Sequence, residues 1–258
     1  MLTKAITPLV ITFNEAANIG RTLAKLNWAE QILVVDSGST DGTVDIVERC
    51  EQARVVERAF DDFAAQCNFG LSLIDTPWAL SLDADYELSD DLVAEIRRLE
   101  PAEAISGFRA GFIYCVHGRP LRATLYPSRV VLYRRDRARY RNEGHGHRVV
   151  VDGKVAELTG KILHDDRKPL SRWFASQQGY ARQEADYLLS ASRSALNPAD
   201  RVRRMAWPAP PLALLYTLFV KRCIFDGWPG WVYAMQRALA EIMITVEILD
   251  RRLRARAG

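Results

Sequence analysis

The chain has little from which to build a covalent or metal-stapled frame. Its 258 residues include four cysteines, Cys50, Cys67, Cys115 and Cys223, and no two form a CxxC pair. That spacing excludes a disulfide scaffold and a cysteine-rich zinc site, and fits reduced, buried thiols of a cytoplasmic protein. Also missing is an uncharged run of roughly 20 apolar residues, the length a membrane-crossing helix needs. The apolar part of "MLTKAITPLVITFNE" is too short, and too soon polar, for a signal peptide. Charge of one sign is scarce as well. With 35 Lys and Arg against 32 Asp and Glu, the net charge of +3 does not describe a polycation built for nucleic acid. No GxGxxG follows the first apolar run, so a dinucleotide oxidoreductase has no fingerprint here. Internal repeats and low-complexity tracts are absent.

What remains is a chain that is 48% hydrophobic, enough for one core-bearing domain with an appendage. Up to about residue 100, the runs "PLVIT", "QILVVD", "ARVVER" and "WALSLDAD" read as strands. Between them, "NEAANIGRTLAKLNW", with Ile19, Leu23 and Leu26 on one face, "GTVDIVERC" and "FAAQCNFGLSLI" read as helices. Continuous apolar strands separated by helices predict an α/β fold, a parallel sheet covered on both faces. Such sheets bind ligands beyond the carboxyl ends of their strands. The polar stretches Thr12 to Glu15, Asp36 to Asp41 and Asp83 to Glu87 all fall at those ends. From about 101 to 165, shorter strands such as "ISGFRAGFIYCVHG", "SRVVLYRR", "HRVVVDG" and "AELTGKILH" predict a mixed sheet. From 166 to 258 the chain turns helical, and the heptad spacing of Trp173, Tyr180 and Tyr187 predicts one buried helix face.

Two stretches carry chemistry. In "LSLDADYE", Asp83 and Asp85 stand two apart at a strand end, with Glu87 one step further, and nothing nearby in sequence neutralises them. Extended, the two aspartates share a face and suit one hard divalent cation, Mg²⁺ or Mn²⁺. The plainer account is that they cap the helix starting near "SDDLVAEI", although Ser89 and Asp90 can do that unaided. In "VVDSGSTDGT", a buried strand delivers Asp36 to its end. Gly38 and Gly42 permit a tight turn there, and Ser39, Thr40 or Asp41 can cap the helix that follows.

Taken together, "PLVITFNEAANIGRTL", "ILVVDSGSTDGTVDIV", "FAAQCNFGL" and "WALSLDADYEL" resemble the inverting glycosyltransferases of family 2, which have the GT-A fold. The resemblance is closest to members of the lipopolysaccharide-core type. It implies a Rossmann-like GT-A domain whose nucleotide-sugar half is 1–100 and whose acceptor half is 101–165, followed by a helical C-terminal appendage over 166–258. It also implies a pocket in which Thr12, Phe13, Asn14 and Glu15 line the nucleotide, with Phe13 near the base. Asp36 would hold the uridine part. Many relatives carry a second acid next to that aspartate, where this chain has Ser37. Gln66 and Asn68 would touch the nucleotide from one side. Asp83 would reach the ribose or the metal, and Asp85 would be the main metal ligand. The base in such relatives is usually an Asp or Glu, often in a His-Glu pair, and the corresponding stretch here is "RNEGHGHRVVVDG". Glu143, His145 and His147 are its candidates, as base or as groups that orient sugar hydroxyls, against a plain loop role for each. His164, ending "KILH", is a candidate to complete the metal or phosphate site, whereas His117 in "CVHGRP" reads as a turn residue.

Nine arginines crowd the middle region: Arg119, Arg122, Arg129, Arg134, Arg135, Arg137, Arg139, Arg141 and Arg148. Arginine pairs with phosphate, and Arg129, opening "SRVVLYRR", is the one expected to face the site. The rest form a solvated face or hold an anionic acceptor or lipid head groups. In the tail, Trp207, Tyr216, Trp228, Trp231 and Tyr233 stand near Lys221 and Arg222, a pattern that suits either a membrane interface or core packing. The combined expectation is a cytoplasmic enzyme, peripheral on the inner membrane face. It would move a sugar from a UDP-sugar to a lipopolysaccharide core or other lipid-linked glycan, with a divalent metal. The rivals are a sugar-nucleotide-binding or scaffold protein of the same fold, and a nucleotidyltransferase. The latter needs a glycine-rich basic loop after the first strand, which "TFNEAANIG" is not.

Overall fold

The computed structural model describes residues 2–122, 125–143 and 146–257, and of Glu143 and His147 the backbone alone. The chain divides into two compact units, Met1–Pro120 with Thr124–Arg167, and Leu121–Ala123 with Lys168–Gly258.

The first unit starts with strand β1 (Ile6–Thr12), then helix α1 (Ile19–Ala24), β2 (Ile32–Asp36), α2 (Thr43–Glu48), β3 (Ala53–Glu57), α3 (Phe63–Ser72) and β4 (Trp78–Asp83). A short β5 (Tyr86–Leu88) and α4 (Asp90–Arg98) lead into β6 (Ile105–Val116), β7 (Arg119–Pro120) and β8 (Arg129–Arg134). The unit ends with the hairpin β9 (Ala138–Glu143) and β10 (Gly146–Val151), and then β11 (Lys154–His164). The main sheet runs β3-β2-β1-β4-β8-β6-β11-β5. Strands β3, β2, β1 and β4 run parallel, and the fully buried apolar run of β2 fits a strand covered on both faces. Strand β8 is antiparallel to both β4 and β6, which begins the mixed half.

Register brings the strand tips level: Thr12 lies opposite Asp36 across β1 and β2, and Ile11 opposite Asp83 across β1 and β4. Two apolar cores pin the sheet from its two faces. Ile19, Leu23, Leu26, Leu92 and Ile96 pack on one side, and Ala64, Cys67, Leu71 and Tyr140 on the other. The expected helix over "NEAANIGRTLAKLNW" is shorter than its periodicity, because Asn14 takes a left-handed φ of 54° and residues 14–17 form a loop. Gly38 and Gly42, at φ 85° and 86°, make the tight turn as expected.

The second unit contains α5 (Leu170–Ser190), α6 (Pro198–Met205), α7 (Ala209–Leu215), a π-turn segment Tyr216–Val220 and the long α8 (Trp228–Ala257). Its core is Ala185, Leu188, Leu196, Ala206 and Ile248. The expected buried face of α5 is corrected here. Tyr180 and Tyr187 are 44% and 41% exposed, and the helix buries Ala181, Glu184, Ala185 and Leu188 instead. The small alanines let α8 approach closely, which bulky tyrosines at those positions would prevent. Buried Glu184, Asp200 and Glu241 surround Arg203, whose Nε is 3.0 Å from Glu241. Among the described residues, no helix is long and apolar enough to cross a membrane.

Candidate active site

The loops after β1 and β2 are stitched to each other. The Asn14 N–H donates to Ser39 Oγ at 2.8 Å, and Asn14 Oδ1 accepts from the Thr40 N–H at 2.8 Å. One step on, the Glu15 N–H donates to Thr43 Oγ1 at 2.8 Å and the Ala16 N–H to Asp41 at 3.1 Å. Burial opposes the charge on Asp41, but bonds from Thr43 and Ala16 outweigh it and lower its pKa. Asn14 tolerates its positive φ better than most residues, and that bend leaves Phe13 47% exposed at the mouth of the loop. Asp36 is 1% exposed. Its carboxylate accepts from the Gly38 N–H at 2.9 Å, the Ser39 N–H at 2.7 Å and the Ser39 hydroxyl, so it orders the loop from beneath. Thr12 Oγ1, buried beside this loop, lacks a protein partner among the described residues.

Gln66 and Asn68 turn inward to the protein. Gln66 donates to Ser37 Oγ at 2.9 Å and to the Arg58 carbonyl at 3.0 Å. Asn68 is bonded in both directions to the backbone of Tyr140 on β9.

At the tip of β4, the carboxylates separate by role. Ser89 caps α4, its Oγ accepting from the Leu92 N–H at 3.2 Å, so Asp83 and Asp85 are not needed there. The backbone between them is tethered by Thr22 of α1, whose hydroxyl donates to the Ala84 carbonyl at 2.7 Å. Asp85 Oδ2 lies 3.1 Å from His164 Nε2. His164 closes β11 opposite Tyr86 on β5 and Tyr114 on β6. Three tyrosine rings, Tyr86, Tyr114 and Tyr126, surround it at centroid distances of 5.3, 5.0 and 4.8 Å. Burial resists a charge on His164, yet Asp85, with Asp83 and Asp166 behind it, prevails and raises its pKa above the ordinary value. Its Nδ1 is buried without a protein partner among the described residues. Arg129 opens β8 with its guanidinium 4.8 Å from the Tyr126 ring; burial works against its charge, but Tyr86, Tyr126 and Asp83 outweigh it and raise its pKa.

Sequence reasoning missed what neutralises Glu87. Arg21 on α1 pairs with Glu87, reaches Asp165 Oδ2 at 3.1 Å and donates to Asn18 Oδ1 at 2.7 Å. Arg167 completes the cluster on Asp165 at 2.8 Å, and Asn18 Nδ2 donates to both Glu15 and Asp166. The signal for it was the pair Asp165-Asp166 directly after the strand end "KILH", another set of acids at a strand tip.

Of the base candidates, His145 lies outside the described residues. Glu143 closes β9 opposite Gly146, and His147 follows on β10 opposite Asn142. The chain therefore reverses between them and does not continue as one extended strand. His117, at φ 49°, is the exposed turn residue expected. Within the arginine band, Arg122 pairs with Asp226 at 3.3 Å and Arg134 stacks on Trp78 at 5.0 Å, while Arg139, Arg141 and Arg148 are exposed on the hairpin.

Among the described residues, no three His, Cys, Asp or Glu side chains converge into a protein-only metal cage. Asp85 and His164 are in contact beside a second carboxylate, and that set fits an ion that keeps most of its positions for phosphate oxygens and water.

The sequence pattern described as "Glycosyl transferase family 2" matches residues 9–150, from β1 into β10. The chain belongs to that family. It is 28% identical, over 94% of its own length and 85% of the relative's, to an uncharacterized glycosyltransferase of Rickettsia bellii. It is 26% identical to the lipopolysaccharide core biosynthesis glycosyltransferase LpsC of Rhizobium meliloti, over 95% of this chain and 92% of that one. Among solved structures it resembles the mannosyltransferase PcManGT from Pyrobaculum calidifontis, solved with GDP-Man and Mn²⁺. That likeness has a TM-score of 0.54 at 16% identity and covers 95% of this chain and 87% of that one. The family 2 chain thus has the GT-A fold with a helical C-terminal region.

Proposed function

We propose that this family 2 glycosyltransferase moves a hexose or related sugar from a UDP-sugar to a lipopolysaccharide core or other lipid-linked glycan at the inner membrane face. The transfer goes with inversion and with a divalent metal, Mg²⁺ or Mn²⁺. The observation that carries the reading is the level placement of Thr12, Asp36 and Asp83 at adjoining strand tips, next to the Asp85–His164 contact. The lipopolysaccharide-core relative supports the acceptor class, and the Mn²⁺ in the mannosyltransferase structure supports the metal.

In this reading the nucleotide lies over Thr12 to Glu15, with Phe13 at the base. Asp36 serves the uridine part by fixing the loop that carries Ser37, Gln66 braces that side of the pocket through Ser37, and Asn68 ties α3 to β9. Asp85, with His164 and Asp83, holds the metal, which when bound offsets negative charge on the departing diphosphate. Arg129 adds a fixed cation on the same side. One of Glu143, His145 and His147 accepts the proton of the attacking hydroxyl. Residues 1–100 then serve the donor and 101–165 the acceptor, while 166–258 form the appendage.

The test is a donor screen that follows nucleoside diphosphate release from UDP-, GDP- and dTDP-sugars with Mn²⁺ or Mg²⁺. UDP-sugars are expected to turn over, and Asp85→Ala to lower the rate at least 100-fold. Metal-independent turnover that survives Asp85→Ala overturns the mechanism. Single replacements Glu143→Gln, His145→Asn and His147→Asn separate catalysis from a binding-only role. One is expected to abolish transfer while titration calorimetry shows donor binding intact; if all three remain active, the base lies elsewhere.

A further inference from the structure

The helical unit carries an apolar surface that its own fold does not use. Between Met205 and Met235, eleven large apolar side chains are between 44% and 73% exposed, with Trp207 the most open. The first unit has three large apolar side chains more than 40% exposed among its described positions: Phe13, Phe60 and Phe63. Apolar exposure this concentrated in one segment marks an interaction surface, since a soluble fold buries such side chains where it can.

The surface has a geometry. Along α8, the exposed residues Trp228, Trp231, Met235, Ile242, Val246 and Leu253 recur at helical spacing. At 100° per residue all six fall within a sector about 60° wide, and the stripe is about 38 Å long at 1.5 Å per residue. A face about 100° round the helix from that stripe holds buried Ala234, Glu241, Thr245 and Ile248. The shorter α7 and the π-turn that follows add Leu212, Phe219 and Val220, all at least half exposed.

Its chemistry selects the occupant. From Met205 to Phe225 there is no acidic residue, and the charges present are Lys221 and Arg222. Each lies against an aromatic ring, Lys221 at 5.8 Å from Tyr216 and Arg222 at 5.8 Å from Phe225. The next acid, Asp226, is paired with Arg122. Aromatic rings beside cations, on helices too short or too polar to span, suit the boundary between acyl chains and head groups. A positively charged rim favours an anionic leaflet.

We propose that the 205–235 segment, continued by the α8 stripe, is a surface anchor that seats the enzyme on an anionic lipid bilayer. This deepens the reading of a lipid-linked acceptor, but it stands on different residues, so donor turnover and lipid binding can fail separately. The experiment is flotation of the full chain with vesicles of phosphatidylcholine alone and of an equimolar mixture with phosphatidylglycerol. Tryptophan quenching by brominated acyl chains is read in parallel. Binding and quenching are expected with the anionic vesicles. Lys221→Glu with Arg222→Glu should weaken that binding roughly tenfold or more, and Phe219→Ser with Phe225→Ser should abolish quenching. In both variants the circular dichroism spectrum and solution-phase nucleoside diphosphate release should be unchanged. Absence of flotation and quenching with intact protein overturns the proposal. So does sedimentation showing that the same face is closed by a second copy of the chain, with lipid binding lost.

Discussion

The amide of Asn68 meets the peptide of Tyr140 twice, donating to its carbonyl at 3.0 Å and accepting from its N–H at 2.8 Å. Replacing it by alanine strands both backbone groups, at a cost of about 1–3 kcal/mol. Asn68→Ala is therefore expected to lower the thermal midpoint and leave the donor KM unchanged; a raised KM at unchanged stability would assign the amide to the nucleotide directly. Arg21 is a second residue with several partners. Its planar fork serves Glu87, Asp165 and Asn18 together, which a lysine ammonium cannot reproduce. Arg21→Leu leaves Glu87 unpaired near Asp83 and Asp85, and denaturant titration should register a loss of about 2–3 kcal/mol. Arg21→Lys should recover part of it.

Among the elements, α4 and β11 meet at one glycine. A methyl group on Gly160 would lie 2.4 Å from Leu92 Cα and 2.6 Å from its N, and backbone cannot yield as a side chain can. The strand is irregular there, with a register shift between Glu157 and Lys161, and Glu95 of α4 accepts from the freed N–H groups of Thr159 and Gly160. Gly160→Ala is expected to cost more than the 1–3 kcal/mol of ordinary overpacking, read as a shifted denaturation midpoint. Helix α5 allows a paired comparison: Tyr187→Ser should change stability by less than about 0.5 kcal/mol, and Leu188→Ala should cost about 2–5 kcal/mol. Strand β2 was legible because it is buried on both faces, and Ile32 to Val35 has no polar position before Asp36 ends the run; the edge strand β3, with exposed Arg54, shows the pattern less cleanly. The acidic strand tips were legible too, since Asp36 and Asp83 end largely apolar runs. The face of α5 was not, because a heptad of aromatics and a stripe of alanines are both periodic and only packing chooses between them. Nor was the Arg21–Glu87–Asp165 cluster, whose members stand 66 and 144 residues from Arg21 in the chain. The hydrogen bonds of Asn68 and Gln66 to Tyr140, Ser37 and Arg58 could not be read from composition or spacing.

At the scale of the whole molecule, two units with separate cores imply two contributions to unfolding. Calorimetry of the full chain is expected to resolve two transitions, of which UDP-sugar with Mn²⁺ raises one, because a ligand stabilises the unit that binds it. A single transition that moves as a whole would mean that the units unfold together. Strand β4 joins the two halves of the sheet, with β1 running alongside it and β8 running against it. The ladder to β1 fixes the tip that bears Asp83, while the ladder to β8 can be reset independently, and the next strand over already absorbs a slip between Phe108 and Arg109. Insertions on the antiparallel side can therefore shift the strands there and leave the parallel half in register, so that one half of the sheet can drift in evolution while the other keeps its tips level.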